Sequence, residues 1–470
     1  MPVFCKMIQD PAQCTSESFL SVMISLLSMY FETPPVPNID LNEWWGPECL
    51  QGQLDTSIRP FRIEFNESMI EDLKHRLRNT RQLTPPLKDS GSEYGFNTYE
   101  MPSWLQYWAE EYPFHERERM INRYPQYRTN IQGLNVHFVR VRPEVPPGVE
   151  VVPLLLLHGW PSSFLDFYEF IPILTTVSKD RGFAIEVIAA SLPGFGFSEG
   201  AVRPGFGADK IAVVLRNLMH RLGHKKFYVH GADWGSVAAS NIATFFPQEV
   251  LGYHSSMPSN TSPIALILRL IGAVRPSLVV RPELADRMYP LSTRLEKLLK
   301  ELGYFYLQAT KPDTVAIALT DSPAGLLAYY FEKISVGTRG YYRYLADGGL
   351  QIHFTREQLI DNLMMYWVPN SIATAGRIYA ESSSLRYFSS QFNSIPSDVP
   401  AWILQAKYEI SYVPPWMYQL KYPNLLNETV LDTGGHFLAL ELPHVLAEDI
   451  LKAVIEFQRW HAQRKVHIEL

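Results

Sequence analysis

An α/β fold is what this sequence predicts: a doubly wound, mostly parallel sheet with a helical cap inserted into it and a meandering segment ahead of it. Two observations carry the prediction. Short, continuously apolar runs recur at Val151 to Leu157, Ile185 to Ala190, Phe227 to His230, Val250 to His254, Trp402 to Gln405 and Thr429 to Leu431, as expected of parallel strands covered on both faces. Helix-like stretches, notably Ala208 to Leu222 and Ser236 to Phe246, lie between several of them, and βα alternation is the signature of such a sheet.

The first strand is introduced by PEVPPGV, a turn at Pro143 to Val149. Ahead of it, from Pro60, short helical patterns (Ser68 to Arg78, Pro102 to Tyr112, His115 to Asn122) alternate with proline-rich joints and end in a strand-like run, Leu134 to Val141. From Pro258 to about Pro396 the sheet rhythm stops, and a helical, tyrosine-rich text takes over between two sheet strands. The expected division is an N-terminal extension at 1–58, a second N-terminal region at 59–143, a first core part at 144–258, the cap at 259–396 and a second core part at 397–470.

Bulk composition narrows the function. The 470 residues are 46% hydrophobic and 19% charged, enough to bury a large core. Lys and Arg total 42 against 48 Asp and Glu, a net charge of -6, which excludes the basic excess needed to hold a phosphate backbone, so nucleic acid is not an expected partner. Cys5, Cys14 and Cys49 are odd in number and show no metal-ligand spacing, so neither a disulfide framework nor a metal site is expected. The apolar stretch Phe19 to Phe31 is too short to span a membrane and lacks a basic lead-in. It reads as an amphipathic segment packed on the body. The terminal HIEL is similar to an endoplasmic-reticulum retrieval signal, which acts only on chains that have entered the secretory pathway. A cytoplasmic location is therefore favoured, with the reticulum membrane or lumen as the alternative, and a homodimer is compatible with this reading.

The chemistry is concentrated in FYVHGADWGSVAAS, Phe227 to Ser240. A β-prone run, then Gly231-Ala232-Asp233-Trp234-Gly235, then a small-residue helix is the context of a nucleophile elbow, the turn of the α/β-hydrolase fold in which flanking glycines let one strained side chain project from the sheet. Here that side chain is Asp233. The plainer reading is a helix cap, and a rival GxSxG at Gly196 to Gly200 has no helix start after it. A carboxylate, already ionised at neutral pH, can displace a leaving group at saturated carbon and form an alkyl ester of the enzyme. Hydrolysing that ester needs a general base, a group to orient the base, and donors for the oxyanion.

Each requirement has a candidate. His436, in LDTGGHFLALE after the last strand, is the base. The orienting acid belongs after the preceding strand, where Glu409 stands in AWILQAKYEIS; Asp432, read as lying inside the last strand, is the alternative. For the oxyanion, HGWP at His158 to Pro161 follows the first buried strand, so the donors are the backbone N–H groups of Trp160 and Trp234. Nothing in this chemistry calls for a cofactor.

These residues resemble the microsomal-type epoxide hydrolases, including fungal enzymes of that group. The likeness runs from about Arg59 to Phe457 through IRPFRIEF, TPPLKDS, YGFN, NRYP, HGWP, SLPGFGFSE, GADWGS, ATKPDT, DSPAGLLAYYFEK, DGGL and GGHF. It implies two cap tyrosines that donate a proton to the epoxide oxygen, which by local text fall on Tyr304, with Tyr306 a neighbour open to confusion, and Tyr379. It also implies an acid at Glu409 and a base at His436. Departures are Ala232, where the family usually has Gly, and an N-terminal extension without a clear spanning helix. The expected activity is hydrolysis of a small lipophilic epoxide to a vicinal diol through an ester on Asp233. Its rivals are a haloalkane dehalogenase, which shares an aspartate followed by Trp, and a non-catalytic ligand-binding module.

Overall fold

The computed structural model describes residues 33–178, 181–258 and 263–468. Cys5, Cys14, the Phe19 to Phe31 stretch and the last two residues of HIEL lie outside them. Nine strands form one sheet: β1 (Arg59–Phe61), β2 (Gln126–Ile131), β3 (Leu134–Val141), β4 (Glu150–Leu157), β5 (Phe183–Ala190), β6 (Phe227–Gly231), β7 (Val250–Ser255), β8 (Ala401–Gln405) and β9 (Leu425–Val430). Their spatial order is β1-β2-β3-β5-β4-β6-β7-β8-β9. The first three pair antiparallel, up to the β3–β5 edge, and every later pair is parallel. β5, β6 and β8 are buried at every position, which is why they read as unbroken apolar runs rather than as alternation.

Helices α1 (Glu67–Arg78) and α2 (Phe114–Ile121) precede the parallel strands, while α3 (Ala208–Arg221) and α4 (Trp234–Phe245) connect them. Between β7 and β8 the described residues contain no strand. They form α5 (Pro263–Val274), α6 (Leu291–Glu301), α7 (Gly303–Thr310), α8 (Pro312–Asp321), α9 (Pro323–Thr338), α10 (Arg356–Trp367) and α11 (Ile372–Ser382). The chain closes on α12 (Pro443–Ile468), packed on the sheet through residues such as Phe457. Among the described residues no helix is long and apolar enough to cross a membrane.

Three features differ from the sequence reading. β1 and β2 extend the sheet where only helices and joints were expected, because β2 (QYRTNI) is a polar text without alternation and its hairpin turns on Gln132 and Gly133, both at positive φ, rather than on the usual Asn-Gly. α4 begins at Trp234, directly after Asp233, and not at Ser236. β9 starts at Leu425 and pairs with β8 only as far as Val430. Asp432 is therefore not inside the last strand but in the bend beyond it, with its side chain in solvent.

The segment before the parallel strands also braces the helices that follow β7. Asp361 on α10 is buried and accepts from Tyr112 Oη at 2.7 Å and from Arg117 Nε at 3.1 Å, with Arg117 Nη2 on its other oxygen. Tyr107 Oη donates to Glu357 one turn earlier at 2.7 Å. Removing one partner of a buried, hydrogen-bonded pair leaves the other charge uncompensated at a cost of about 3–5 kcal/mol. Asp361→Ala is expected to lower stability by an amount of that order in urea titration, whereas Asp72→Ala, which loosens only the solvent-exposed Arg76 pair, barely moves the midpoint.

Candidate active site

Asp233 sits at the tip of the turn from β6 into α4, with φ at 49° and ψ at −128°, a conformation that is costly for a residue with a Cβ. The turn is tight because Gly235 lies against β4: a Cβ there would come within 2.2 Å of Leu157 O and 2.4 Å of His158 O. On the other side, a Cβ on Gly159 would stand 2.1 Å from Asp233 Oδ1. The two backbones thus close around the carboxylate. Asp233 makes no side-chain capping hydrogen bond to α4, so its side chain is free of the helix-cap role. The rival Ser198 stays in a loop, where its hydroxyl accepts from His137 N and donates to Ser191 O.

The two oxygens of Asp233 meet different surroundings. Oδ1 accepts from the Trp160 N–H at 2.9 Å, and the Trp234 amide adds a second backbone interaction. Oδ2 faces His436 Nε2 at 3.6 Å. His436 Nδ1 is 2.8 Å from Glu409 Oε1, which also accepts from Ile410 N at 2.7 Å. The loop carrying His436 is pinned to the end of α9, through His436 N to Gly337 O at 2.9 Å and through the buried Arg339–Glu441 pair, whose carboxylate accepts from Gly435 N at 3.0 Å. Glu409 and His436 are thus brought together with Asp233. Asp432, the alternative acid, is turned outward toward Arg287 at 3.6 Å.

Burial raises the Asp233 carboxyl above its ordinary value, against the pull of the His436 charge and the Trp160 and Trp234 amides. For His436, burial alone would disfavour the cation. The charge and hydrogen bond of Glu409, with the charge of Asp233 behind them, outweigh burial and push its pKa up to about 9. In the free site at neutral pH His436 is therefore an imidazolium, held between Glu409 and Asp233.

Across the carboxylate stand two phenols. Tyr304, on α7, stacks on Trp160 with ring centres 5.2 Å apart, and Tyr379, on α11, meets Trp160 edge-on at 5.8 Å and Trp234 at 4.9 Å. Their own ring centres are 5.9 Å apart. Burial and the nearby Asp233 charge raise both hydroxyls, so each stays protonated and able to donate. The Tyr379 hydroxyl is buried without a hydrogen-bond partner among the described residues. Tyr306, by contrast, is exposed. Two neighbours were missed by sequence reasoning: Tyr329, edge-on to Trp160 at 5.7 Å, and Lys333, whose ammonium lies 4.7 Å over the Tyr304 ring. Both lie within DSPAGLLAYYFEK, and their spacing of four residues on one helix face was the available signal.

A cavity of about 490 Å³ opens onto this group and is lined by Trp160, Tyr304, His436, Phe437 and apolar side chains of α5 and α6. Among the described residues no group of His, Cys, Asp and Glu gathers in a way that could hold a metal ion.

Comparison with known proteins agrees with this arrangement. Residues 58–167 match the family model described as epoxide hydrolase N terminus, and residues 152–304 match that of the alpha/beta hydrolase fold. A juvenile hormone epoxide hydrolase of Bombyx mori is 56% identical over 426 residues, covering 91% of this chain and 92% of that protein. The chain belongs to the epoxide hydrolase family. The crystal structure of the silkworm enzyme superposes with a TM-score of 0.89 over 90% of this chain and 100% of that one. Epoxide hydrolase 1 of Oryctolagus cuniculus is 40% identical over 422 residues, 87% of this chain and 92% of that protein. As a member of this family the enzyme adds water to an epoxide to give a vicinal diol.

The raised His436 pKa carries a stability consequence. A histidine whose folded pKa lies above its ordinary 6.5 contributes stability that is fully present below about 6.5 and is lost as pH rises through about 9. Carbon-13 NMR of labelled histidine should show one imidazole titrating near pH 9. In Glu409→Gln, which removes the largest raising influence, that resonance should titrate at lower pH.

Proposed function

We propose that Asp233 is the nucleophile of the diol-forming reaction, with Tyr304 and Tyr379 as acids, His436 as base and Glu409 as its anchor. The observation that carries this reading is the unequal seating of one carboxylate, Oδ1 on the Trp160 amide at 2.9 Å and Oδ2 facing His436. Oδ2 attacks a ring carbon, the ring C–O bond breaks, and a phenol proton passes to the departing oxygen. The product is a hydroxyalkyl ester, and Asp233 has lost its charge.

That loss changes His436. One of the charges holding its pKa up is gone, so the imidazole can give up its proton to the phenolate side of the site and become a base. It then takes a proton from water, which attacks the Asp233 carbonyl carbon. The oxyanion forms at Oδ1, where the Trp160 N–H already points, with the Trp234 amide beside the same carboxylate. Collapse breaks the ester bond, the diol oxygen recovers a proton from His436, and the carboxylate is restored. Residues 259–396 act in this scheme as a cap that brings the acid to the nucleophile. The two phenols favour an epoxide over a haloalkane, whose halide leaves without needing a proton.

The cavity volume and its leucine-rich wall suit a lipophilic epoxide much larger than styrene oxide. Several relatives that cover most of the chain, at 56%, 45% and 43% identity, bear the name juvenile hormone epoxide hydrolase, and we infer an insect-hormone-type epoxide as the natural substrate. Purified enzyme should convert juvenile hormone to its diol with a higher kcat/KM than styrene oxide; a preference for styrene oxide contradicts the substrate inference.

Two substitutions separate the half-reactions. His436→Gln should still be alkylated but not released, so intact-mass spectrometry should show the protein heavier by one substrate. Tyr304→Phe with Tyr379→Phe should lower the rate of alkylation by roughly 10²–10⁴-fold, the range for a lost general acid. An alkylation rate unchanged in the double variant would remove the phenols from the mechanism.

A further inference from the structure

The cavity has a second chemical end, which the hydrolysis of the ring does not use. Arg287 lines it and is 7% exposed, yet its Nη1 is buried without a hydrogen-bond partner among the described residues. The charge of Arg287 acts on Glu428, its Nη2 donates to Leu431 O at 2.9 Å, and its ion-pair partner among the described residues, Asp432, stands at 3.6 Å with its own side chain fully in solvent. Such a counter-ion is largely screened by water.

Four more cations share the wall. Lys297 on α6 lines the cavity, has no ion pair among the described residues, and is held below the ordinary ammonium range by burial, with Arg294 and Arg343 adding to the effect and the Glu409 and Glu301 charges opposing it. Among the described residues Arg294 donates to the backbone carbonyl of Asp286 at 3.0 Å, with the Asp286 charge nearby. Arg269 contributes a buried Nε without a partner. The acid in the lining, Glu301, is already paired with Arg343, and the remaining cation, Lys333, is paired with Glu332 at 2.6 Å. The wall therefore carries an excess of positive charge over an otherwise apolar surface. A buried cation with an unpartnered donor, as Arg287 has here, is costly, and an anion that reaches it and its half-buried neighbours offsets that cost.

We propose that this basic wall binds a carboxylate, and that the enzyme turns over lipid epoxides whose apolar chain ends in a free acid in preference to the corresponding esters, an ester hormone of the kind inferred above included. The inference rests on the reading of this cavity as the substrate pocket. It also orients the substrate: Asp233 repels a carboxylate, so the acid group turns to the Arg287 and Lys297 side while the ring meets the nucleophile and Tyr304. An ester or alcohol at the same position offers an acceptor but no charge.

The test compares 9,10-epoxyoctadecanoate with its methyl ester as substrates of the full chain. In parallel, calorimetry compares the binding of dodecanoate and methyl dodecanoate. The expected result is a kcat/KM about tenfold or more higher for the acid, the range for hydrogen bonds to a charged group, with dodecanoate binding more tightly than its ester. Arg287→Met and Lys297→Met should each move the acid-to-ester ratio toward one; Lys297, on a half-exposed helix position, keeps the test valid if the Arg287 variant does not fold. Equal turnover and binding of acid and ester, or a ratio unmoved in both variants, overturns the proposal. The two readings fail differently: tight dodecanoate binding with no diol from any epoxide sinks the hydrolytic mechanism and keeps the carboxylate site.

Discussion

Everything in the site depends on the close approach of two backbones, the end of β4 and the turn from β6 into α4. Gly235 lies against Leu157 and His158, Gly159 lies against the Asp233 carboxylate, and no side chain could be inserted at either place. This contact holds Asp233 at positive φ, and it aims the Trp160 N–H at one oxygen of the same carboxylate. The Asp233 carboxylate and the Trp160 amide that meets it are thus products of one packing constraint. Strain of this kind, of the order of 1–3 kcal/mol, persists only where surrounding structure over-determines it, and the buried parallel strands β4 and β6 supply that rigidity.

The helices between β7 and β8 add what the sheet edge cannot. Tyr304 and Tyr379 reach the carboxylate from α7 and α11 and are held there by stacking on Trp160 and Trp234, the residues whose amides serve Asp233. The His436 loop is tied to α9 in turn. Because Tyr304, Tyr379, His436 and the two tryptophans share contacts, a shift of the helices would displace the groups proposed as acid, base and oxyanion donors together. The bracing of α10 by Tyr112 and Arg117 gives the N-terminal region a mechanical part in the chemistry, although none of its residues touches the carboxylate.

Much of this was legible in the sequence where one local pattern determines the outcome. Buried parallel strands read as apolar runs, and GADWG after such a run marked the elbow with Asp233 at its tip. Glu409 and His436 could be located because the fold order asks for an acid and a base after consecutive strands, and the structure brings both to Asp233. Legibility failed where the signal is polar or depends on convergence in space. β1, the edge strand, and β2 beside it have texts that do not alternate, and Asp432 was set inside a strand that ends two residues earlier. Tyr329, Lys333 and the basic wall around Arg287 come together only once the helices have packed. Tyr304 and Tyr379 were reached through family resemblance, since any tyrosine in that text could equally be packing.

The central claim is that water attacks the Asp233 carbonyl and not the epoxide. It is tested most directly by a single turnover, with enzyme in excess over styrene oxide in heavy-oxygen water, followed by mass analysis of both the diol and the peptide that contains Asp233. The account predicts an unlabelled diol and one heavy oxygen in the peptide, because the diol takes its new oxygen from the carboxylate and the carboxylate takes its replacement from water. A labelled diol with an unlabelled peptide would mean direct attack of water on the ring and would contradict the account.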